Sequence, residues 1–305
     1  MFKEVSAQVL ILFILILIGF ILAKAKVLGD KSVKGMTDLV LYTVTPCVII
    51  KSFIREFEPK LLKNLLLSFL IAFSAHILFI ALSRIFLRSN NKSQEKVLQF
   101  AVIFSNCGFM SIPLQQALLG DMGVFYGSSY VAIFNLFIWS YGILLMSGDK
   151  AYLTPKKLVI NPGVIGLTVG VVIFLASIPV PRILGETVGY MAALNTPLPM
   201  IIIGYHLYNS SLLEGFKNLK CLFAVFLRVV LFPLLALGVM YLCGVRGVML
   251  ISSVISCCAP SAAITTMLSA KFERDTALSV NMVSLSTLLS LVTMPLIITL
   301  TELIA

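Results

Sequence analysis

Residues 105–113 read Ser105-Asn106-Cys107-Gly108-Phe109-Met110-Ser111-Ile112-Pro113, in the middle of an apolar run that hydropathy assigns to one membrane crossing. A helix in lipid must satisfy its own backbone. Proline removes a donor and clashes with the carbonyl four residues back, and glycine weakens the helix further. Each backbone group freed in hydrocarbon costs several kcal/mol, so such an interruption persists only against protein or a water-filled cavity. The stretch is therefore read as a break in a helix with a functional reason to exist.

The rest of the chain supplies the setting. It has 305 residues, 59% of them hydrophobic and 12% charged, with a mean hydropathy of +1.05, which places it among polytopic membrane proteins. Spans of about 20 residues are expected at 6–24, 36–54, 64–84, 97–119, 123–147, 158–178, 188–208, 217–242, 247–270 and 276–300. They leave no room for an appended soluble or catalytic domain. The second, seventh and ninth carry the most Pro, Gly and polar residues. The first span reads as a retained helix: the leader Met1-Phe2-Lys3-Glu4 has no net positive charge, whereas Lys24, Lys26, Lys31 and Lys34 follow the apolar run.

A net charge of +10 raises the question of nucleic acid, but in this composition the placement of the cations decides. Of the 23 Lys and Arg, fifteen fall in loops after odd-numbered spans and seven on the opposite side, with Arg228 assigned to neither. The positive-inside rule then puts the odd loops in the cytoplasm and both termini outside. The partners expected are lipid and a small solute, with no nucleic acid. The six cysteines, Cys47, Cys107, Cys221, Cys243, Cys257 and Cys258, lie in the apolar spans or, for Cys243, at the very end of one, and form no CxxC, so they read as buried small apolar residues.

An offset of 151 residues aligns Thr45-Pro46 with Thr196-Pro197, Gly19 with Gly170, and Ser105 and Cys107 with Ser256 and Cys258. The division expected is a first five-helix repeat over 1–147, a short cytoplasmic linker at 148–157 and a second repeat over 158–305. An odd number of spans per unit inverts the second copy, a hallmark of secondary transporters. Span nine carries its own interruption, Ser256-Cys257-Cys258-Ala259-Pro260-Ser261. An ordinary proline kink accounts for either break alone. Breaks in both fourth helices favour a midplane binding site.

These motifs resemble a known family. "NCGFMSIPLQQALLG" followed by "WSYGILLM", with "LVLYTVTPCVIIKSF", "NPGVIGLTVGVVIF", "TPLPMIIIGYHL" and "SLSTLLSLVTMPLII" in order along the whole chain, is similar to the auxin efflux carrier family, which includes plant auxin exporters and bacterial malate permease-like proteins. The resemblance implies an all-α integral membrane fold of ten transmembrane helices in two inverted five-helix repeats, with broken helices 4 and 9 crossing at the centre. It also implies an elevator movement of helices 3–5 and 8–10 against a scaffold of helices 1, 2, 6 and 7, which allows a homodimer through that scaffold. The family's crossover Asn and Pro fall on Asn106 and Pro113, and the helix-nine proline on Pro260. The short linker favours the bacterial branch and the cytoplasmic membrane.

The function expected is secondary transport of small organic anions, such as malate or auxin-like acids. Alternatives are a sodium-coupled symporter of the bile-acid-transporter-like fold, or a channel or receptor using the same fold. Substrate-binding residues expected are Asn106, Cys107, Gly108, Ser111, Pro113, Ser256, Cys257, Pro260 and Ser261. Amides at half-helix starts, with the Asn106 side chain and the hydroxyls of Ser111, Ser256 and Ser261, would hold a carboxylate without any Lys or Arg. His76, Asn135 and Asn281 are candidate cavity-lining residues, while a hydrogen-bonded neutral imidazole or an interhelical bridge explains them as well. His206 is a weaker candidate, and Arg228 is expected to reach an interface or an internal partner. Two isolated histidines and no acid in mid-span argue against an intramembrane enzyme. No metal site and no cofactor are expected, and coupling to Na+, H+ or the membrane potential stays open.

Overall fold

The computed structural model describes residues 2–153, 161–209 and 212–305, with side chains from residue 7 onward except 212–214. Residues 154–157 of the expected linker, with Lys156 and Lys157, and residues 158–160 at the head of the second repeat lie outside the described residues. Among the described residues thirteen helical runs follow one another, besides a short 3-10 turn at Lys150–Tyr152: α1 (Phe2–Lys24), α2 (Asp30–Phe53), α3 (Pro59–Phe86), α4 (Lys92–Ile103), α5 (Cys107–Ser147), α6 (Pro162–Leu175), α7 (Arg182–Ala193), α8 (Pro197–Tyr208), α9 (Leu212–Lys217), α10 (Leu219–Leu242), α11 (Gly247–Cys258), α12 (Ile264–Lys271) and α13 (Thr276–Ile304). Among the described residues the one β-type pairing is an isolated antiparallel bridge between Ser105 and Ser261.

Seven of these runs are long and apolar enough to cross a bilayer, α7 and α8 counting as one. The 41-residue run α5 would measure about 60 Å if straight, twice the ~30 Å of a hydrocarbon core. It is not straight: Gly120 has φ 62, ψ −154, outside any helical conformation, and only glycine adopts that left-hand backbone without strain. The boundary expected between spans four and five falls on this residue.

Three prolines shape the helices by widening rather than breaking them. Pro46, Pro113 and Pro233 each stand just after a π-helical turn, at Val40–Val44, Cys107–Ser111 and Leu227–Leu231. The ring would strike the carbonyl four residues earlier, and one extra residue in the turn carries that carbonyl away. Pro113 is thus no part of the interruption; it sits at the second position of a helix that continues to Phe137.

Packing is closest where glycine lets backbones touch, as in membrane helix pairs generally. A Cβ on Gly19 would fall 2.2 Å from the Ile201 carbonyl oxygen, and one on Gly204 would fall 2.0 Å from that of Ile16, so α1 and α8 pack backbone to backbone. On the other side, a Cβ on Gly166 would meet Pro46 at 2.7 Å, joining α6 to α2. Phe53, Phe125 and Phe174 fill the space beside that second contact, with centroids 4.6–6.3 Å apart.

The cysteine reading needs one correction. Cys107, Cys221, Cys257 and Cys258 are buried and Cys47 is half-buried, but Cys243 is exposed. It caps the end of α10 after Leu242, past the last turn that could bury it.

Candidate functional site

Two departures from helical geometry, one after α4 and one after α11, meet inside the apolar body. After Ile103, Phe104 is extended at φ −97, ψ 106. After Cys258, Ala259 is extended at φ −60, ψ 148, as expected of a residue whose successor is proline. The two segments then pair antiparallel across Ser105 and Ser261. The Asn106 amide donates to the Pro260 carbonyl at 2.7 Å, and the Ala262 amide donates to the Phe104 carbonyl at 2.9 Å. The Ser261 amide donates to Ser286 Oγ at 3.1 Å. Backbone groups that lipid would leave unpaired are thus answered by each other and by α13.

Arg228 completes this junction from behind. It lies in the π turn of α10 and is fully buried. Its Nε donates to the Ala259 carbonyl at 3.0 Å and its Nη1 to the Val102 carbonyl at 2.9 Å; Nη2 donates to the Cys257 carbonyl. The guanidinium also lies 5.6 Å from the Phe79 ring centroid. One side chain therefore caps the carboxyl-terminal ends of both α4 and α11. Of the two alternatives expected for Arg228, an interface or an internal partner, the second is the one found, and it sets a buried cation behind the junction. Among the described residues no Asp or Glu is buried to face it.

In front, two helices begin. The Asn106 carbonyl accepts from the amides of Met110 (3.1 Å) and Ser111 (3.3 Å), closing the first turn of α5. The amides of Gly108 and Phe109, inside that turn, have no acceptor within their own helix. At the start of α12, the amides of Thr265 and Thr266 donate to Ala262 (3.0 Å) and Ala263 (3.1 Å). Gly108, Phe109 and Ile264 are half-buried and Ala263 is exposed, so this side is the open one. A Cβ on Gly108 would meet nothing within 4 Å. Asn106 is 8% exposed here. Ser105 Oγ, Ser261 Oγ and Thr265 Oγ1 are buried without a hydrogen-bond partner. An oriented set of donors with open space in front can hold an anion, because unpaired first-turn amides and the helix dipoles both present positive charge.

The expected site residues divide accordingly. Asn106, Gly108, Pro260 and Ser261 surround the junction. Cys107 is buried at the head of α5. Ser111 Oγ donates to the Ile255 carbonyl at 3.2 Å, fastening α5 to α11. Ser256 and Cys257 do not belong to the interruption as expected; they form the last helical turn of α11. Their polar groups are engaged: Ser256 Oγ accepts from Gln115 Nε2 at 2.9 Å, and the Cys257 carbonyl accepts from Arg228. The reason is that Pro260 excludes only the residue before it from helical geometry, so α11 runs unbroken to Cys258.

His76 is fully buried, with Nδ1 2.8 Å from the Ala72 carbonyl. Its ring stacks on Phe137 at 5.1 Å and lies 6.2 Å from Phe104, the first extended residue. Asn135 Nδ2 donates to the Val131 carbonyl at 2.8 Å and faces Gly163. Asn281 lies against Gly215, and His206 is exposed on α8. Three residues at the junction escaped sequence reasoning, Gln115, Thr265 and Ser286, and Arg228 was named without its place there. Gln115 is fully buried and Nε2 also donates to the Ser252 carbonyl at 2.9 Å. For Arg228 the signal was present, since an ionisable residue in mid-span is a functional candidate by default. The others look like any polar residue on a membrane helix.

Comparisons with known proteins point to membrane transport. A family model described as membrane transport protein matches residues 4–298. An uncharacterized transporter of Methanothermobacter thermautotrophicus is 27% identical over 299 residues, covering 97% of this chain and 98% of the relative.

Proposed function

The chain belongs to the membrane transport protein family, that of the auxin efflux carriers, and from that premise we propose that it is a secondary carrier of small organic anions, carboxylates such as malate or auxin-like acids. The single observation that carries the reading is the meeting of the two interrupted segments at the Ser105–Ser261 bridge, ahead of the starts of α5 and α12 and beside open space at Gly108. Neutral oriented donors bind a carboxylate in passing without the tight grip of a direct ion pair.

We count ten crossings: α1, α2, α3, α4 with the head of α5, α5 after Gly120, α6, α7 with α8, α10, α11 with α12, and α13. The paired contacts of α1 with α8 and of α6 with α2, through Gly19 and Gly170 and their neighbours at the 151-residue offset, support an inverted duplication. In this reading the junction moves with its helices against α1, α2, α6, α7 and α8, in the cytoplasmic membrane with both termini outside.

Uptake of labelled malate and indole-3-acetate into proteoliposomes tests the proposal. Saturable flux with counterflow is expected, and ohmic current would replace the carrier by a channel. Asn106→Ala should lower carboxylate affinity about tenfold, the loss of one hydrogen bond to a charged partner, with little change in thermal midpoint. Unchanged binding and flux for every accepted acid would remove Asn106 from the site. A sodium-coupled symporter is favoured by one observation, the three unpartnered hydroxyl oxygens of Ser105, Ser261 and Thr265, which are acceptors suited to a small hard cation. Flux independent of sodium would dismiss it.

A further inference from the structure

The charge of the junction specifies more about the substrate than its donors do. Four helix ends meet there: the carboxyl-terminal ends of α4 and α11 and the amino-terminal ends of α5 and α12. Each carries roughly half an elementary charge, negative at the former and positive at the latter. Left alone, the four sum to about zero, and such a junction would favour anions no more than cations. Arg228 breaks the balance, because all three of its nitrogens bond carbonyls of the two negative ends, those of Val102, Cys257 and Ala259. Its charge cancels them. About one positive charge then remains at the starts of α5 and α12, and no buried Asp or Glu among the described residues answers it.

We infer that Arg228 is a selectivity-determining and positioning residue, which turns a neutral junction of half-helices into a site for a single carboxylate. It acts from behind the junction, through the helix ends it neutralises, and does not itself touch the substrate. The inference rests on the organic-anion reading above and narrows it: the substrate carries one negative charge when it sits at the crossover, and a dicarboxylate enters with its second group protonated.

The test uses the purified full-length chain with acid and amide pairs of equal shape, benzoate with benzamide and indole-3-acetate with indole-3-acetamide. The wild-type chain should bind at least one acid about tenfold or more tightly than its amide. R228K, which keeps the charge and loses the planar fork, should retain most of that ratio; R228Q should bring it within about twofold. A side chain that merely clasped the helix ends would lower the thermal midpoint in both variants and leave the ratio unmoved, and that result overturns the inference. Should R228Q not fold, succinate binding to the wild-type chain decides. Affinity should rise as the pH falls from about 7 through the second carboxyl pKa of succinate, and strongest binding of the dianion overturns the inference. If the wild-type chain neither binds nor moves any of these acids, the transport reading fails and takes this inference with it. Wild-type flux with an unchanged ratio in R228Q removes the countercharge alone.

Discussion

The two interruptions do the same work with different residues. The first, Phe104 to Asn106, contains no proline; it ends in an asparagine whose carbonyl restarts the helix through Met110 and Ser111. The second, Ala259 to Ala263, holds Pro260 in its middle and needs outside help, from Ser286 on the Ser261 amide and from Arg228 on the Ala259 carbonyl. A proline enforces extension but brings no donor, so beyond the bonds the two arms exchange the second arm borrows from α10 and α13, whereas the first arm takes one from Arg228 at Val102 and restarts its own helix on the Asn106 carbonyl. On the proposed reading, recognition is concentrated in the first arm and the second is where the junction is braced.

That contrast can be broken by substitution, and bracing residues should register in stability before ligand residues do. Gln115→Leu removes two hydrogen bonds that tie α5 to α11, to the Ser252 carbonyl and to Ser256 Oγ. It should cost about 1–3 kcal/mol, read as a fall in thermal midpoint in detergent. Ser286→Ala uncaps the single Ser261 amide, and a loss of about 1 kcal/mol is expected. Gly108→Leu is the opposite case. Its side chain would project into open space, so stability should hold within about 0.5 kcal/mol while carboxylate flux is lost. A large drop in midpoint with flux retained would show that the recognition side had been assigned to the wrong arm.

Much of this was legible in the chain. The membrane class follows from composition, and the first interruption from Ser105 through Gly108, because those residues have no other reason to interrupt an apolar run. The register of the second interruption was not legible. The 151-residue offset aligns Ser105 and Cys107 with Ser256 and Cys258, yet α11 continues through both. Proline announces itself one residue early in backbone conformation and not four, so matching the flanking serines misplaces the break. The prolines misled in another way: Pro113 looked like part of the interruption, but a π turn accommodates it. Arg228 was visible, and an internal partner was one of its two expected fates, but which partner was not legible. Its acceptors are carbonyls from two distant segments, which no pattern of side chains records.

The bridge between Ser105 and Ser261 also governs how the protein is made. The Phe104 carbonyl and the Asn106 amide find their partners only in Ala262 and Pro260, roughly half the chain further on. During synthesis the amino-terminal portion must wait in the bilayer with an unclosed polar notch, and no rearrangement of its own residues can seal it. Closing the junction therefore waits for the carboxyl-terminal arm, and a chain ending before Ala259 would leave the Phe104 carbonyl and the Asn106 amide without these partners.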